Sequence, residues 1–327
     1  MQQQLIDNFE RKFEYLRLSI TDACNFKCNY CLPAGYQRSH QKSFLSHNEI
    51  NNLVTAFAEL GTKKVRITGG EPSLRKDFTQ IIASVVNVKG IEKVATTTNG
   101  FQLEKQAQQW FDAGLSVINI SVDSLDANTF HLITGKNIFQ KVMRGVQASV
   151  AAGYAQVKVN SVLMKGVNDN DLALFLRWIK TEKIQLRFIE LMQTGDNDDF
   201  FKKYHLSGEY IKERLLADGW QLKRALSHDG PAQVFQHTEY VGEIGLIMPY
   251  SRDFCKSCNR LRVSSTGRLH LCLFGEEGVD LRDLLGDSKD KDALKQRIIN
   301  VLQDKKNSHS LQLGKTGGTP HLASIGG

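Results

Sequence analysis

Cys24, Cys28 and Cys31 fall within eight residues, in the run Cys-Asn-Phe-Lys-Cys-Asn-Tyr-Cys that follows an apolar stretch. Thiols this close on one loop can face one metal centre. A structural zinc site closes with four protein ligands, and a cubane iron–sulfur cluster has four irons to ligate. Three cysteines leave one position open, and an open metal position is where a small molecule binds and chemistry starts. The bland alternative is a zinc knuckle with its fourth ligand elsewhere. The remaining cysteines repeat the pattern: Cys255 and Cys258 form a Cys-x-x-Cys pair, and Cys272 follows on what reads as the return of a hairpin, 260–264 and 269–274 around Thr266-Gly267. Two ligands on a turn and one on a returning strand suit a metal, and zinc completed by His270 remains open for this second trio.

Polar residues cluster near both trios. Arg260 and Arg262 alternate along a strand and so share a face, a receptor suited to phosphate. Thr68-Gly69-Gly70-Glu71-Pro72 pairs two glycines, which permit close backbone approach to a ligand, with a carboxylate able to accept from an ammonium. Arg17, Arg66, Thr97, Asn119, Ser121, Asp123, Lys158, Asn160 and Met192 lie on or just after other apolar runs. Polar side chains in parallel strands are costly unless paired or serving a ligand, so their number predicts a large polar ligand.

The elements that must position these residues are legible as alternation. Short apolar runs at 15–20, 64–68, 94–98, 117–122, 157–163 and 186–191 alternate with helical patterns at 46–60, 77–88, 103–113, 138–152 and 171–181. Ser46-His47-Asn48-Glu49 reads as a capping box and Gly153 as a helix stop. Six βα units predict a parallel sheet in a partial, TIM-like (β/α)6 barrel, α/β in class, with chemistry at the C-terminal strand ends. Phe57, Leu60, Val142, Val146 and Trp178 read as core. The stretch 196–203 is a polar, acidic break and reads as the exit from the barrel. A helix at 207–218, β-rich sequence over 220–249, the cysteine hairpin and a charged helix at 289–305 follow. The expected division is 1–195 for the barrel, 196–313 for a β-rich, α+β extension, and 314–327 for a small-residue tail that reads as flexible.

With 327 residues, 41% of them hydrophobic, the chain can build a large core. No membrane-length apolar run and no cationic-then-apolar start is visible, so a cytoplasmic location is expected. Disulfides are rare there, which leaves the six cysteines as metal ligands or free thiols. The net charge of +7 is dispersed, favouring a small polyanion over nucleic acid.

The first trio resembles the Cys-x-x-x-Cys-x-x-Cys loop of radical S-adenosylmethionine enzymes, and Thr68–Pro72 resembles their glycine motif. The second trio with its Arg260-Leu261-Arg262 insert, together with the terminal Ile325-Gly326-Gly327, resembles the GTP 3′,8-cyclase family of molybdenum cofactor biosynthesis, over nearly the whole chain from Arg17. The resemblance implies two [4Fe–4S] clusters, one on Cys24, Cys28 and Cys31 and one on Cys255, Cys258 and Cys272. It implies S-adenosylmethionine contacts at Tyr30, Gly70, Ser121 and Met192, and GTP contacts at Arg17, Arg66, Thr97, Lys158, Arg260, Leu261 and Arg262. Arg17, Arg260 and Arg262 would be the catalytic residues or those in closest control of the substrate, and the last two glycines would reach into the barrel. The reaction implied is hydrogen abstraction from the ribose C3′ of GTP by a 5′-deoxyadenosyl radical, closure of the C3′ radical onto guanine C8, and uptake of one further electron and a proton to give the cyclised dihydro nucleotide. Implied partners are a reductant such as flavodoxin or ferredoxin, the downstream cyclic pyranopterin monophosphate synthase, and a second copy in a homodimer. Two other readings compete: a peptide-modifying radical enzyme with an auxiliary cluster, and a non-catalytic zinc protein that binds nucleic acid. The first usually carries a cysteine-richer C-terminal region; the second needs four-ligand sites and a clustered basic surface.

Overall fold

The computed structural model describes residues 4–37, 43–195, 197–224, 230–275, 277–286, 290–318, 323 and 325–326. Asp196, Lys289 and Gly327, each included in an expected segment, lie outside the described residues.

The six apolar runs are strands: β1 Tyr15–Ser19, β2 Lys64–Thr68, β3 Lys93–Thr98, β4 Val117–Ser121, β5 Gln156–Leu163 and β6 Gln185–Glu190. They pair in parallel in chain order. Parallel strands are covered on both faces, and β1 is buried along its whole length. The crossovers carry α1 His47–Glu59, α2 Phe78–Val86, α3 Leu103–Asp112, α4 Ala127–Thr134, α5 Phe139–Ala151 and α6 Leu172–Ile179.

The local signals act as their chemistry demands. The Ser46 hydroxyl accepts from the Glu49 amide at 3.2 Å, and the Glu49 carboxylate accepts from the Ser46 amide at 2.7 Å, closing the capping box of α1. Ile50, Leu53, Val54 and Phe57 then recur on one face and are fully buried. Gly153, just past α5, takes φ of +86°, the left-handed geometry that ends a helix. Of the expected core residues, Phe57, Leu60, Val142 and Val146 are buried, whereas Trp178 is half-buried against the core.

Beyond β6 come α7 Asp198–Tyr204, α8 Gly208–Ala217, β7 Gln221–Leu222, β8 Gln233–Gln236, β9 Glu243–Ile247, β10 Arg260–Val263, β11 Arg268–His270, β12 Val279–Asp280 and α9 Lys291–Leu302. Two expectations change here. The segment read as a polar, acidic break at the exit from the barrel holds α7, with Asp198 and Asp199 in its first turn and Lys202 and Lys203 in its last, complementing the helix dipole. The second hairpin strand stops at His270 rather than Phe274, because the Leu271 carbonyl is taken by the Lys305 ammonium instead of a strand partner.

Among the described residues the strands form one open sheet in the order β12-β11-β10-β1-β2-β3-β4-β5-β6-β9-β8-β7. β10 adds in parallel beside β1, and β9 in parallel beside β6. The C-terminal region thus extends both edges of the barrel sheet and does not stand apart from it. No helix among the described residues is long and apolar enough to cross a membrane.

Candidate active site

The first cysteine loop leaves β1 and is fastened to the end of β2. The Gly70 amide donates to the Thr21 carbonyl at 2.8 Å, and the Glu71 amide to the Ala23 carbonyl at 2.7 Å. This contact is why two glycines stand here. A Cβ on Gly69 would lie 2.4 Å from the Thr21 carbonyl oxygen, and one on Gly70 would lie 2.4 Å from those of both Asp22 and Ala23. The close approach is therefore to the chain's own cysteine loop, although both glycines also line the cavity. Glu71 is fully buried, and its carboxylate is occupied by the Ser73 amide (3.0 Å), the Thr98 hydroxyl (2.8 Å) and the Asn99 amide (2.6 Å). It braces β2 against β3 and is not placed as the expected ammonium acceptor. On the far side the loop is anchored to α4: the Lys27 and Asn29 amides donate to the Thr134 and Ile133 carbonyls at 3.0 and 3.1 Å.

The second trio approaches from the opposite side of β1. The parallel β1–β10 pair aligns Arg262 with Arg17 and Arg260 with Tyr15, and β1–β2 aligns Arg17 with Arg66 and Tyr15 with Lys64. Adjacent strands are about 4.8 Å apart, so Arg262, Arg17 and Arg66 form a rank of guanidiniums across three strands. Two residues upstream, Arg260, Tyr15 and Lys64 form a second rank. All six line one cavity. Burial, followed by the neighbouring arginines, holds Arg17 well below the usual guanidinium range and brings Arg262 down to about 10. Burial brings Lys64 down to about 8. Burial would raise the Tyr15 phenol, but Arg66, Arg17, Lys64 and Arg260 outweigh it and bring it to about 8. So much buried positive charge calls for an anion of several charges.

The third wall comes from β4 to β6. The Tyr30 hydroxyl donates to Asp123 Oδ2 at 3.0 Å, and the Val162 amide to Asp123 Oδ1 at 2.9 Å. Burial pushes the Asp123 carboxyl up to about 6 despite these donors. The described end of the tail also enters the site: Ala323 and Ile325 are buried, and Arg262 Nη1 donates to the Gly326 carbonyl at 2.7 Å.

The cavity measures about 250 Å³ and its lining includes all six cysteines, none in a disulfide. Tyr30, Gly70, Ser121, Met192, Arg17, Arg66, Thr97, Arg260 and Arg262 line it as well. Two expected contacts are placed otherwise: Lys158 is buried on β5 outside the lining, and Leu261 points into the hydrophobic core between its two arginines. Asn119 is likewise inside the wall, donating to the Thr96 carbonyl at 2.6 Å. The sequence reading passed over Tyr15, Lys64, Arg187 and His309, which also line the cavity. Tyr15 and Lys64 sit two residues before Arg17 and Arg66, so strand periodicity could have found them.

A parallel half-barrel whose first strand delivers a three-cysteine loop, braced by a Gly-Gly turn from the second, defines a radical S-adenosylmethionine enzyme. The sequence model of the Radical SAM superfamily matches residues 18–179, and that of Molybdenum Cofactor Synthesis C matches residues 184–311. Among solved structures, SuiB of Streptococcus suis bound to S-adenosylmethionine shares the fold, with a TM-score of 0.59 at 13% identity over 86% of this chain and 68% of that one. The GTP 3′,8-cyclase of Psychromonas ingrahamii is 74% identical over 100% of this chain and 96% of its own, and that of Vibrio parahaemolyticus is 62% identical over 99% and 98%. The chain belongs to the GTP 3′,8-cyclase family.

Proposed function

We propose that this cavity cyclises GTP to (8S)-3′,8-cyclo-7,8-dihydroguanosine 5′-triphosphate, the first step of molybdenum cofactor biosynthesis, with S-adenosylmethionine and two [4Fe–4S] clusters. The observation that carries the reading is the convergence of both cysteine trios and the two cationic ranks on one cavity. The donor sets fit the clusters: each trio offers three cysteines outside any disulfide, which would leave one of four irons open to S-adenosylmethionine at Cys24–Cys31 and one to the guanine base at the second trio. Among the described residues no three His, Cys, Asp or Glu side chains are grouped to hold a single metal ion; the fit rests on the donor sets and the shared cavity. Cys24, Cys28 and Cys31 would hold the cluster whose chemistry, when reduced, would be one-electron cleavage of the sulfonium, the source of the hydrogen-abstracting radical.

The protein's own residues do the rest. Tyr30, Gly70, Ser121 and Met192 wall the S-adenosylmethionine side. Arg17, Arg66, Thr97, Arg260 and Arg262 hold the triphosphate and the nucleoside, with Lys158 acting from behind the wall. Arg17, Arg260 and Arg262 stand between the trios and fix the ribose in the path from one to the other, a positioning task. The 1–195 region builds the first half of the site, and 196–313 closes it with β9, β10 and the second trio. A low-potential flavodoxin or ferredoxin serves as reductant, and the product passes to cyclic pyranopterin monophosphate synthase. The rank of arginines favours this reading over a peptide substrate, which carries no triphosphate.

The test is an anaerobic incubation with GTP, S-adenosylmethionine and dithionite, analysed by mass spectrometry. A deoxyadenosine signal together with a product isomeric with GTP is expected. Deoxyadenosine without any GTP-derived product overturns the substrate assignment.

A further inference from the structure

Two cations outside the barrel grip the loops that carry the second cysteine trio. Arg11, in the short N-terminal hairpin bridged at Ile6 and Lys12, is held by Asp7 through Nε at 2.8 Å and Nη2 at 2.7 Å. Its remaining hydrogens go to main-chain carbonyls: Nη1 to Cys255 at 3.0 Å and to Asn307 at 2.7 Å, Nη2 to Lys306 at 2.8 Å. Arg11 thus ties the first ligand of the trio to the segment that follows α9.

That segment carries Lys305, which is only 5% exposed. Its ammonium donates to the carbonyl of Leu271, the residue before Cys272, and lies 5.2 Å from the centroid of the Phe13 ring. These named contacts are a carbonyl dipole and a ring face, neither of which carries a negative charge. A buried ammonium needs an opposing charge. Arg11 has Asp7; Lys305 holds the residue before Cys272 and is close enough to Cys258 for its charge to act on that thiol.

Resting on the two-cluster reading above, we propose that Lys305, fixed by Arg11, is a positioning residue for the second cluster. It holds the Cys272 loop through the Leu271 carbonyl and places a positive charge beside an anionic thiolate-ligated group. A nearby cation favours the reduced, more negative state and so raises the reduction potential. Arg11, neutralised by Asp7, contributes position with little net charge.

The test is an anaerobic redox titration of the reconstituted full-length enzyme followed by electron paramagnetic resonance, comparing Lys305→Met, Lys305→Gln, Lys305→Arg and Arg11→Gln. The second cluster's potential is expected to fall in Lys305→Met and Lys305→Gln, to return toward the original value in Lys305→Arg, and to move less in Arg11→Gln. S-adenosylmethionine cleavage without GTP, which the first trio serves, is expected to persist in all four. Full iron with an unshifted potential in both neutral Lys305 variants overturns the proposal. An unsubstituted enzyme carrying only about four irons per chain, one cubane's worth, overturns the two-cluster reading itself and this inference with it.

Discussion

Arg262 stands beside Arg17 as its register partner across the parallel β1–β10 pair, although the two are 245 positions apart in the chain. That pairing brings the second trio's strand against the first trio's strand and sets two guanidiniums side by side where burial disfavours both charges. The Gly326 carbonyl meets one Arg262 donor and leaves the like charges in place. A multiply charged anion relieves them. Replacing Arg262 with Ala is expected to weaken GTP binding by 10- to 100-fold, from about 1.5–3 kcal/mol for a charge-assisted hydrogen bond. Deoxyadenosine formation without GTP should be spared. Isothermal titration with GTP checks the first expectation, and chromatography of the cleavage product checks the second.

The glycine motif offers a steric test. A methyl group at Gly70 would overlap the Asp22 and Ala23 carbonyls at 2.4 Å, and neither can move without shifting the cysteine loop. Overpacking of this kind typically costs about 1–3 kcal/mol. Gly70→Ala is expected to keep the circular dichroism of the barrel but lose roughly half of the reconstituted iron, the share of one of two equal cubanes. Iron analysis that matches the unsubstituted protein would show that the loop does not depend on this contact.

Tyr30 and Asp123 tie the cysteine loop to β4. Removing the phenol hydrogen-bond donor in Tyr30→Phe leaves Asp123 Oδ2 without that donor in a buried site, at a cost of about 1–3 kcal/mol. A lower thermal midpoint is expected, together with a raised KM for S-adenosylmethionine, since both residues line the cavity. A KM equal to that of the unsubstituted enzyme would assign the pair to stability alone.

What the sequence disclosed follows from how far each signal reaches. Strands β1 to β6 were legible because their apolar runs and turn residues are local. The capping box at Ser46 and Glu49 and the stop at Gly153 are local too. The partnership of β10 with β1 has no local signature, so the rank Arg262–Arg17–Arg66 became visible only in the fold. Glu71 shows the same limit: a carboxylate after two glycines suits a ligand, and only the positions of Ser73, Thr98 and Asn99 reveal that its oxygens are already used. Helix α7 is short, with no fully buried residue, and gave no core periodicity to read.

A pH dependence can be located away from the cavity, at Glu49. Partial burial raises its carboxyl, but the Arg282 guanidinium, with Nε at 2.8 Å, and the Ser46 amide outweigh that and hold it below the ordinary 4.5. Arg282 also donates to the Ser43 and Phe44 carbonyls, so the pair joins α1 to the segment after β12. For a carboxyl lowered in the folded state, the stabilisation is fully present above the unfolded value and is lost as pH falls through the folded one. Gln at position 49 can still accept from the Ser46 amide and keep the capping box, which isolates the charge. Glu49→Gln is therefore expected to destabilise the protein by about 1 kcal/mol at pH 7. The difference between the two thermal midpoints should shrink as pH drops below 4.5. Melting curves from pH 7 to pH 3 check this, and a difference that stays constant across the range would assign the effect to packing.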